Sequence, residues 1–419
     1  MQSGSTTDDV LVIGGGVIGL ACAHYLAQAG RQVRVIEREA VGAGASHGNC
    51  GLVFTSDLLP LCTPGAVRKE IVGMLRGTSP LSIRPRLDLG LIAWLGKFAG
   101  ACRADRLPAA MRARESILAS SERLFNELFS AGGLEADYER RGVLLVYRSE
   151  EEFDGYAATN RWLEPYGLAA APLVGRDLRS AEPALRPDLH GAWHHRTDAH
   201  LRPDALLRSW REHLARNGVG FTEKCALRGL RTAGGRIEAA VTAAGEIRAR
   251  AYVMAAGAWS AVLLAPLGLK LPVQPGKGYS ITMGRPARCP KIPCYLHERR
   301  VVATPWASGY RLGGTMEFSG FGTDLNRRRL DALKSAAREY LEEPLGQPVI
   351  EEWAGLRPMT YDDLPVIGRV PGLGNLLLAT GHGMLGVTTA PATGKLVAEM
   401  VCGGPPHIDP TPFRIERFR

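Results

Sequence analysis

The sequence lacks any apolar run that approaches the roughly 18 residues a transmembrane helix requires. The segment Met1 to Asp8 is short and polar, and it has no apolar core of the kind found in a signal peptide. The eight cysteines form no C-x-x-C pair and no ligand-like cluster with histidine, which disfavours a structural zinc site. We therefore expect no bound metal ion, and we expect free thiols in a reducing cytoplasm.

Basic residues exceed acidic ones and give a formal net charge of +9. They are scattered along the chain without the aromatic stacking pattern of a nucleic-acid surface, so we expect no nucleic-acid partner. An anionic cofactor and an anionic substrate explain the excess equally well. At 419 residues with 45% hydrophobic content, the chain is long enough for two domains or one large one.

The first forty residues predict a strand, a glycine-rich turn, a helix and a second strand. Val10 to Ile13 is typical of a buried parallel strand, the alanine-rich stretch from Leu20 to Ala29 of a helix, and Val33 to Ile36 of another strand. This is the setting in which G-x-G-x-x-G binds a dinucleotide, with an acidic residue about 20 positions further on. The motif and its acidic partner are Gly14, Gly16, Gly19 and Glu37.

Each part of this fingerprint has a physical role. Gly14 makes the tight turn, Gly16 lets the backbone approach a pyrophosphate, and Gly19 lets the helix pack close to the strand. The pyrophosphate lies at the helix N-terminus, where free N–H groups favour anions. Glu37 accepts hydrogen bonds from ribose hydroxyls and disfavours the 2′-phosphate of NADP. The alternative is an ordinary βαβ unit with a glycine-rich turn.

Three later stretches suggest further close approaches of the backbone to a ligand. Residues 41–52 are rich in glycine and small side chains, residues 251–260 predict a buried strand that ends in a small-residue turn, and residues 376–388 predict a strand with a glycine turn. A helix from Thr389 to Val401 follows and offers a second N-terminus to negative charge. This pattern predicts two domains joined by several crossings.

The remaining pattern is less regular. Pro108 to Ala131 predicts a long amphipathic helix, whereas Leu58 to Arg106 is punctuated by proline and predicts irregular structure. Val219 to Leu230 and Arg236 to Thr242 predict strands of one small antiparallel sheet.

Taken together, these motifs resemble the D-amino-acid oxidase family of FAD-dependent oxidoreductases, and most closely its D-amino-acid dehydrogenase branch. The resemblance rests on the Gly14 fingerprint and on residues 44–51, 255–260, 355–358, 365–368 and 380–383. It implies a mixed α/β fold with a Rossmann-like FAD-binding domain assembled from discontinuous segments and a substrate domain built on an antiparallel sheet. We expect residues 8–90, 196–262 and 350–404 in the first domain, and residues 91–195 and 263–349 in the second.

The resemblance also implies noncovalent FAD and its contact residues. These are Gly14, Gly16, Val17, Ile18, Gly19, Glu37, Arg38, Ser46, Asn49, Cys50, Gly51, Leu52, Leu227, Ala256, Gly257, Trp259, Gly383, Met384, Leu385, Gly386 and Thr388.

On the substrate side, Arg357 corresponds to the arginine that holds the substrate carboxylate in the family. A guanidinium is a rigid fork that suits a carboxylate, although a structural arginine that caps carbonyls is the alternative. Tyr279 shapes the substrate pocket or is a core tyrosine, and His382 fits a turn residue near the flavin better than an acid or base. Many relatives have a tyrosine just before the strand that begins at Val301, where this chain has Arg299-Arg300.

The activity implied by the resemblance is FAD-dependent oxidative deamination of D-amino acids. Hydride passes from Cα to flavin N5, and the imino acid is then hydrolysed to a 2-oxo acid and ammonia; D-proline or hydroxy-D-proline would instead give a cyclic imine. The alternatives are an amine oxidase of the glycine or sarcosine oxidase kind and a non-catalytic flavin-binding subunit of a dehydrogenase complex. The electron acceptor, whether quinone, oxygen or a partner protein, stays open.

The segment Leu89 to Leu95 is apolar and is followed by basic residues as far as Arg106. A buried helix or a cover over the active site is one interpretation, and contact with a membrane surface is the other. We therefore expect a cytoplasmic protein, with peripheral association at the inner face of the membrane as the open alternative.

Overall fold

A computed structural model describes residues 8–75, 81–83 and 87–418. Within these ranges the chain has a mixed α/β fold, as the sequence predicts. None of the helices in the described part of the chain has the length and apolarity needed to cross a membrane.

The strands of the described residues, numbered in chain order, are β1 (Asp8–Ile13), β2 (Val33–Ile36), β3 (Leu52–Val53), β4 (Leu81–Ile83), β5 (Val143–Tyr147), β6 (Ala171–Val174), β7 (Gly191–His195), β8 (Ala199–His200), β9 (Gly220–Thr222), β10 (Leu227–Ala233), β11 (Arg236–Thr242), β12 (Gly245–Ile247), β13 (Ala249–Met254), β14 (Val273–Met283), β15 (Cys294–Leu296), β16 (Val301–Trp306), β17 (Gly309–Phe318), β18 (Val349–Thr360), β19 (Val366–Val370) and β20 (Leu373–Thr380). The α-helices are α1 (Val17–Gln28), α2 (Ala66–Leu75), α3 (Leu89–Ala101), α4 (Leu107–Ser130), α5 (Glu150–Arg161), α6 (Gly175–Ala181), α7 (Pro203–Arg216), α8 (Ser260–Leu264), α9 (Arg327–Arg338) and α10 (Gly386–Cys402).

A six-stranded sheet of order β19-β20-β13-β1-β2-β9 is parallel except for its β19–β20 edge. Alternate residues of β1 enter different cores, because successive side chains of a strand point to opposite faces. Val10 and Val12 pack with the helices α1, α4, α7 and α10. Leu11 and Ile13 pack with the small sheet β10-β11-β12 and with α8. The sheet is therefore covered on both faces, as parallel sheets require.

The second sheet is larger and mostly antiparallel, with order β18-β14-β17-β16-β15-β5-β7-β6 and with β4 added beside β17. One face packs on α9 through Leu330, Leu333 and Ala337, all of which are fully buried. The opposite face is turned towards the nucleotide fingerprint and forms the floor of the candidate site.

The long helix α4 lies within one residue of its predicted position, but three local predictions were wrong. Residues 219–230 do not form one strand, because β9 pairs in parallel with β2 while β10 begins a separate sheet. The stretch 58–106 contains the helices α2 and α3. The last helix begins at Gly386, three residues before the predicted Thr389, because the glycine turn runs directly into it.

Residues 350–360, which we assigned to the FAD-binding segments, belong to β18 and pair along the whole of β14 in the nine-stranded sheet. The division of the chain into the two predicted sets of segments stays a prediction.

Candidate active site

A cavity of about 930 Å³ lies between the two sheets. This volume is near the upper end of the roughly 300–1,000 Å³ range of ligand sites in proteins. Its walls come from the turn after β1, the loop 43–54 and the turns after β13 and β20. Its floor consists of β14, β17, β16 and β15. The cavity therefore unites the four glycine-rich stretches that the sequence singled out.

The nucleotide fingerprint is held in place by side chains from its own neighbourhood. The Gly15 N–H donates to Oε2 of Glu37 at 2.7 Å, and the Val17 N–H donates to the Ser46 hydroxyl at 3.1 Å. Gly14 has a φ of +111°, and a Cβ there would lie 2.5 Å from the Ala255 carbonyl oxygen. Only glycine can make this turn so close to the neighbouring strand.

The end of the cavity beside Glu37 is lined by three predicted contacts from distant parts of the chain. The Arg38 guanidinium stacks 3.7 Å from the centre of the Trp259 ring. The Cys225 N–H donates to the Glu37 carbonyl at 2.8 Å and brings Leu227 to the same end. A planar side chain and an acidic residue at one end of a fingerprint cavity suit an adenosine moiety.

The loop 47–52 is tied to the turn before α10. The Asn49 side chain accepts from the Gly51 N–H at 2.7 Å and donates to the Met384 carbonyl at 3.5 Å. The Thr388 hydroxyl donates to the Leu52 carbonyl at 3.1 Å and accepts from the Phe54 N–H at 3.3 Å. These bonds hold two predicted flavin-contact segments against each other.

Arg311 fixes the same loop, and the sequence analysis did not identify it. Its side chain is 1% exposed, and it donates to the carbonyls of His47 and Asn49, both at 2.7 Å, and to the Thr282 hydroxyl at 2.9 Å. Its remaining nitrogen lies 3.5 Å from Asp204. The signal in the sequence was an arginine between the apolar residues Tyr310 and Leu312, which a local pattern cannot connect to a loop 262 residues away.

The residues present fit FAD. Both α1 and α10 begin at the cavity wall without an acidic residue in the first turn, and neither has a cap from its own N-cap residue. The Val17 N–H donates to Ser46, but the positive ends of both helices still favour anionic groups at the wall. Most of the predicted cofactor contacts line the cavity. The exceptions, which pack behind the wall, are Gly19, Gly51 and Thr388.

Arg357 lies over the floor of the cavity, on β18. A Cβ at Gly278 would lie 2.3 Å from its Nη1, so the glycine of β14 makes room for the guanidinium. Nη1 donates to the Thr315 carbonyl of β17 at 2.8 Å. Burial lowers the pKa of Arg357, and among the described residues no carboxylate pairs with it. The site thus presents a cavity-lining cation whose Nε and Nη2 have no hydrogen-bond partner among the described residues.

Two other predicted substrate-side residues have different surroundings. Tyr279 is 2% exposed, packs in the core beside α9 and donates its hydroxyl to Glu317 at 3.2 Å, so its contacts are those of a core tyrosine. His382 is buried with its Nε2 3.0 Å from the Thr393 hydroxyl, and burial lowers its pKa to about 3. Neither contact set favours a role in proton transfer, because the Tyr279 hydroxyl is bonded to Glu317 and the lowered pKa makes His382 a weak base.

Acidic side chains at the far end of the cavity are paired or hydrogen-bonded. Arg114 bonds Asp57 at 3.1 Å and Asp363 at 2.8 Å, and burial raises the pKa of Asp57 to about 6. Behind the wall, the fully buried Asp198 accepts from the hydroxyls of Thr55 and Ser56, and burial raises its pKa to about 7.

Comparison with known proteins gives one consistent result. Residues 9–400 match the sequence model of the family described as FAD dependent oxidoreductase (DAO). A D-amino acid dehydrogenase of Bradyrhizobium diazoefficiens is 33% identical over 98% of both chains, and one of Granulibacter bethesdensis is 33% identical over 98% of this chain and 99% of its own. Among solved structures, glycine oxidase from Geobacillus kaustophilus superposes with a TM-score of 0.77 at 23% identity, covering 98% of both chains.

Proposed function

Because this chain belongs to the DAO family of FAD-dependent oxidoreductases, we propose that it catalyses the oxidative deamination of D-amino acids. The substrate loses two electrons and a proton as hydride from Cα, and its amine loses a second proton. Water then hydrolyses the imino acid to a 2-oxo acid and ammonia. FAD, when bound, supplies the oxidant for the first step.

The observation that supports this proposal is Arg357. Arg357 pairs with no carboxylate of residues 8–75, 81–83 and 87–418, and it lines a cavity that also contains a dinucleotide fingerprint. Such an arginine is suited to binding an anionic substrate. The guanidinium holds the carboxylate and so orients Cα. Burial makes His382 a weak base, and its Nε2 lies 3.0 Å from the Thr393 hydroxyl, so we infer that the substrate amine enters in its neutral form and needs no protein base.

The purified protein tests this proposal directly. It should be yellow, and acid or heat should release FAD rather than FMN. A panel of D- and L-amino acids and of cyclic imino acids, assayed with both an artificial dye and oxygen, should give turnover with D-enantiomers. Colourless protein that does not take up FAD, or turnover confined to L-amino acids or glycine, would refute it.

We also propose that α3 makes peripheral contact with a membrane, where a quinone is available as electron acceptor. The buried face of α3 packs on Phe318 and Met359 through Leu91 and Trp94. Its other face leaves Leu89 81% and Ile92 57% exposed. Exposed apolar side chains on a helix that also carries the exposed Lys97 suit an anionic lipid surface. Arg103, just after the helix, is paired with Asp105.

Flotation with vesicles of phosphatidylglycerol and of phosphatidylcholine tests this contact. Binding should be stronger to the anionic vesicles and should fall when Leu89 and Ile92 are both replaced by serine. The exposed Val262 on α8, replaced by serine, is a matched control distant in sequence from α3. Equal recovery of all three proteins with the vesicles would contradict the proposal.

A further inference from the structure

The cavity extends well beyond Arg357, into a chamber that the cofactor predictions do not include. We define this side-chain chamber by Phe54, Leu145, Tyr156, Thr159, Tyr295 and Val302, all of which line the cavity. Its floor is one row of the large sheet, in which Gly313 lies opposite Val302, Val302 opposite Tyr295, and Tyr295 opposite Leu145. Residues directly opposite each other on paired strands point to the same face, so this row forms a continuous surface.

The side-chain chamber adjoins both the predicted flavin-contact loop 47–52 and Arg357, the arginine proposed to bind the substrate carboxylate. Leu52 and Phe54, at the end of that loop, pack with Tyr156, Tyr295 and Leu145 in one apolar cluster. Arg357 reaches Thr315 on β17, and Tyr295 on β15 is two strands further along the floor. Two inter-strand spacings are about 10 Å, and Thr315 is two residues, or about 7 Å, along β17 from the row of Tyr295, so the separation is roughly 12 Å. This is the scale of an aromatic amino acid together with its contacts at both ends.

The chemistry of the walls is aromatic and uncharged. The Tyr156 hydroxyl and His195 Nε2 are 2.8 Å apart, and burial lowers the pKa of His195 to about 4, so the imidazole is neutral. The charged groups near this end have partners of opposite sign, with Arg300 2.5 Å from Glu70 and Asp57 bonded to Arg114. A charged side chain entering the chamber would be desolvated without gaining a free counter-ion.

From this geometry we propose that the side-chain chamber selects D-amino acids with a large, uncharged, aromatic side chain. The inference rests on the proposed function and specifies its substrate class. With the carboxylate on Arg357, the ring lies over Val302 and Tyr295 and contacts Tyr156. Aromatic pairs add to the burial of apolar surface. Between Arg357 and the chamber, the floor at Gly313 is covered by the flavin-contact loop, since a Cβ there would lie 2.5 Å from Cys50 Sγ.

The first test compares kcat/KM for D-phenylalanine, D-alanine, D-glutamate and D-lysine. D-Phenylalanine should exceed D-alanine by at least roughly 10-fold, since even one methylene in an apolar pocket is worth about 10–200-fold. Both charged substrates should be poorer than D-phenylalanine. A preference for D-alanine or for either charged substrate would overturn the inference while leaving the proposed function intact.

A variant that fills the chamber gives the second test. Thr159 lines the chamber from α5, and Ala158 beside it is exposed. Thr159→Trp should lower the ratio of kcat/KM for D-phenylalanine over D-alanine by roughly 10-fold. Ala158→Trp, the matched control, should leave the ratio unchanged. An equal ratio in both variants would overturn the inference.

A binding measurement separates this inference from the proposed function. Calorimetric titration of the FAD-loaded protein with 3-phenylpropanoate and with propanoate requires no turnover. The aryl compound should bind at least roughly 10-fold more tightly, and Thr159→Trp should remove that advantage. If no D-amino acid is oxidised, the proposed function fails. Equal affinity for 3-phenylpropanoate and propanoate would instead overturn the inference about the side-chain chamber.

Discussion

Replacement of Arg357 by methionine is the most direct test of whether this residue binds the substrate carboxylate. In the structure Nη1 donates to the Thr315 carbonyl, and Nε and Nη2 have no hydrogen-bond partner among the described residues. Methionine keeps the length and apolar volume of the side chain but removes every donor. Losing a charge-assisted contact to a buried anion costs about 2–5 kcal/mol, which corresponds to a loss of roughly 30-fold to several thousand-fold in kcat/KM for a D-amino acid.

The same substitution should affect stability much less. It leaves the Thr315 carbonyl without its donor, at a cost of about 1–3 kcal/mol, but it also removes a partly buried cation that no carboxylate neutralises. Because the two effects oppose each other, we expect a change of only a few degrees in Tm and full FAD content. Arg357→Lys should restore part of the activity, since an ammonium lacks the paired geometry.

Stopped-flow reduction of the bound flavin is the assay, with two reductants for each variant. One is a D-amino acid and the other is the matched amine without the carboxylate, which does not need Arg357. Arg357→Met should slow reduction by the first far more than by the second. Equal losses for both reductants, or a protein without FAD, would refute the argument and make Arg357 a structural residue.

Three further substitutions test other parts of the site. Glu37→Lys should weaken FAD binding, because it removes the acceptor of the Gly15 N–H and adds a positive charge beside Arg38. Fluorescence titration of the apoprotein with FAD measures the affinity, and an unchanged affinity would contradict the prediction. Arg311→Met should lower the free energy of unfolding, measured in urea, by about 1–3 kcal/mol for each of the two loop carbonyls that lose their donor. Asp204 keeps Arg202 as its partner, and an unchanged midpoint would contradict the assigned role of Arg311. Burial raises the pKa of Asp198 to about 7, so its contribution to stability is complete below the ordinary carboxyl pKa of 3.8 and is lost as the pH rises towards 7, at up to about 1.4 kcal/mol per pH unit. Asp198→Asn should flatten urea stability measured between pH 4 and pH 7, and an unaltered slope would show that another group titrates.

Short-range patterns in the sequence predicted the elements that form the dinucleotide fingerprint at one end of the cavity. The strand β1, the turn at Gly14 and the helix α1 follow one another within twenty residues, so hydrophobic period and glycine spacing suffice to predict them. The same holds for α4, whose apolar residues recur at helical spacing over 24 residues.

The elements that were predicted wrongly depend on partner strands or residues far away in the sequence. β9 is only three residues long and becomes a strand by pairing with β2, nearly two hundred positions earlier. The contacts of Arg311 and the side-chain chamber likewise arise from register across β17, β16, β15 and β5. Periodicity identifies which residues of a strand share a face, but it does not specify which strands become neighbours.

The hydrogen bond between Thr388 and Leu52 has a consequence for cofactor binding during synthesis on the ribosome. It joins residues 336 positions apart, and the wall that they share borders the flavin-contact loop. A ribosome that adds about 5–20 residues per second needs roughly 20–70 s to travel from the first of these residues to the second. During that interval the nascent chain displays the fingerprint turn without the helix that completes its opposite wall. FAD capture is therefore confined to the last moments of synthesis or to the released chain, and ribosome-bound chains halted before α10 should not retain the cofactor.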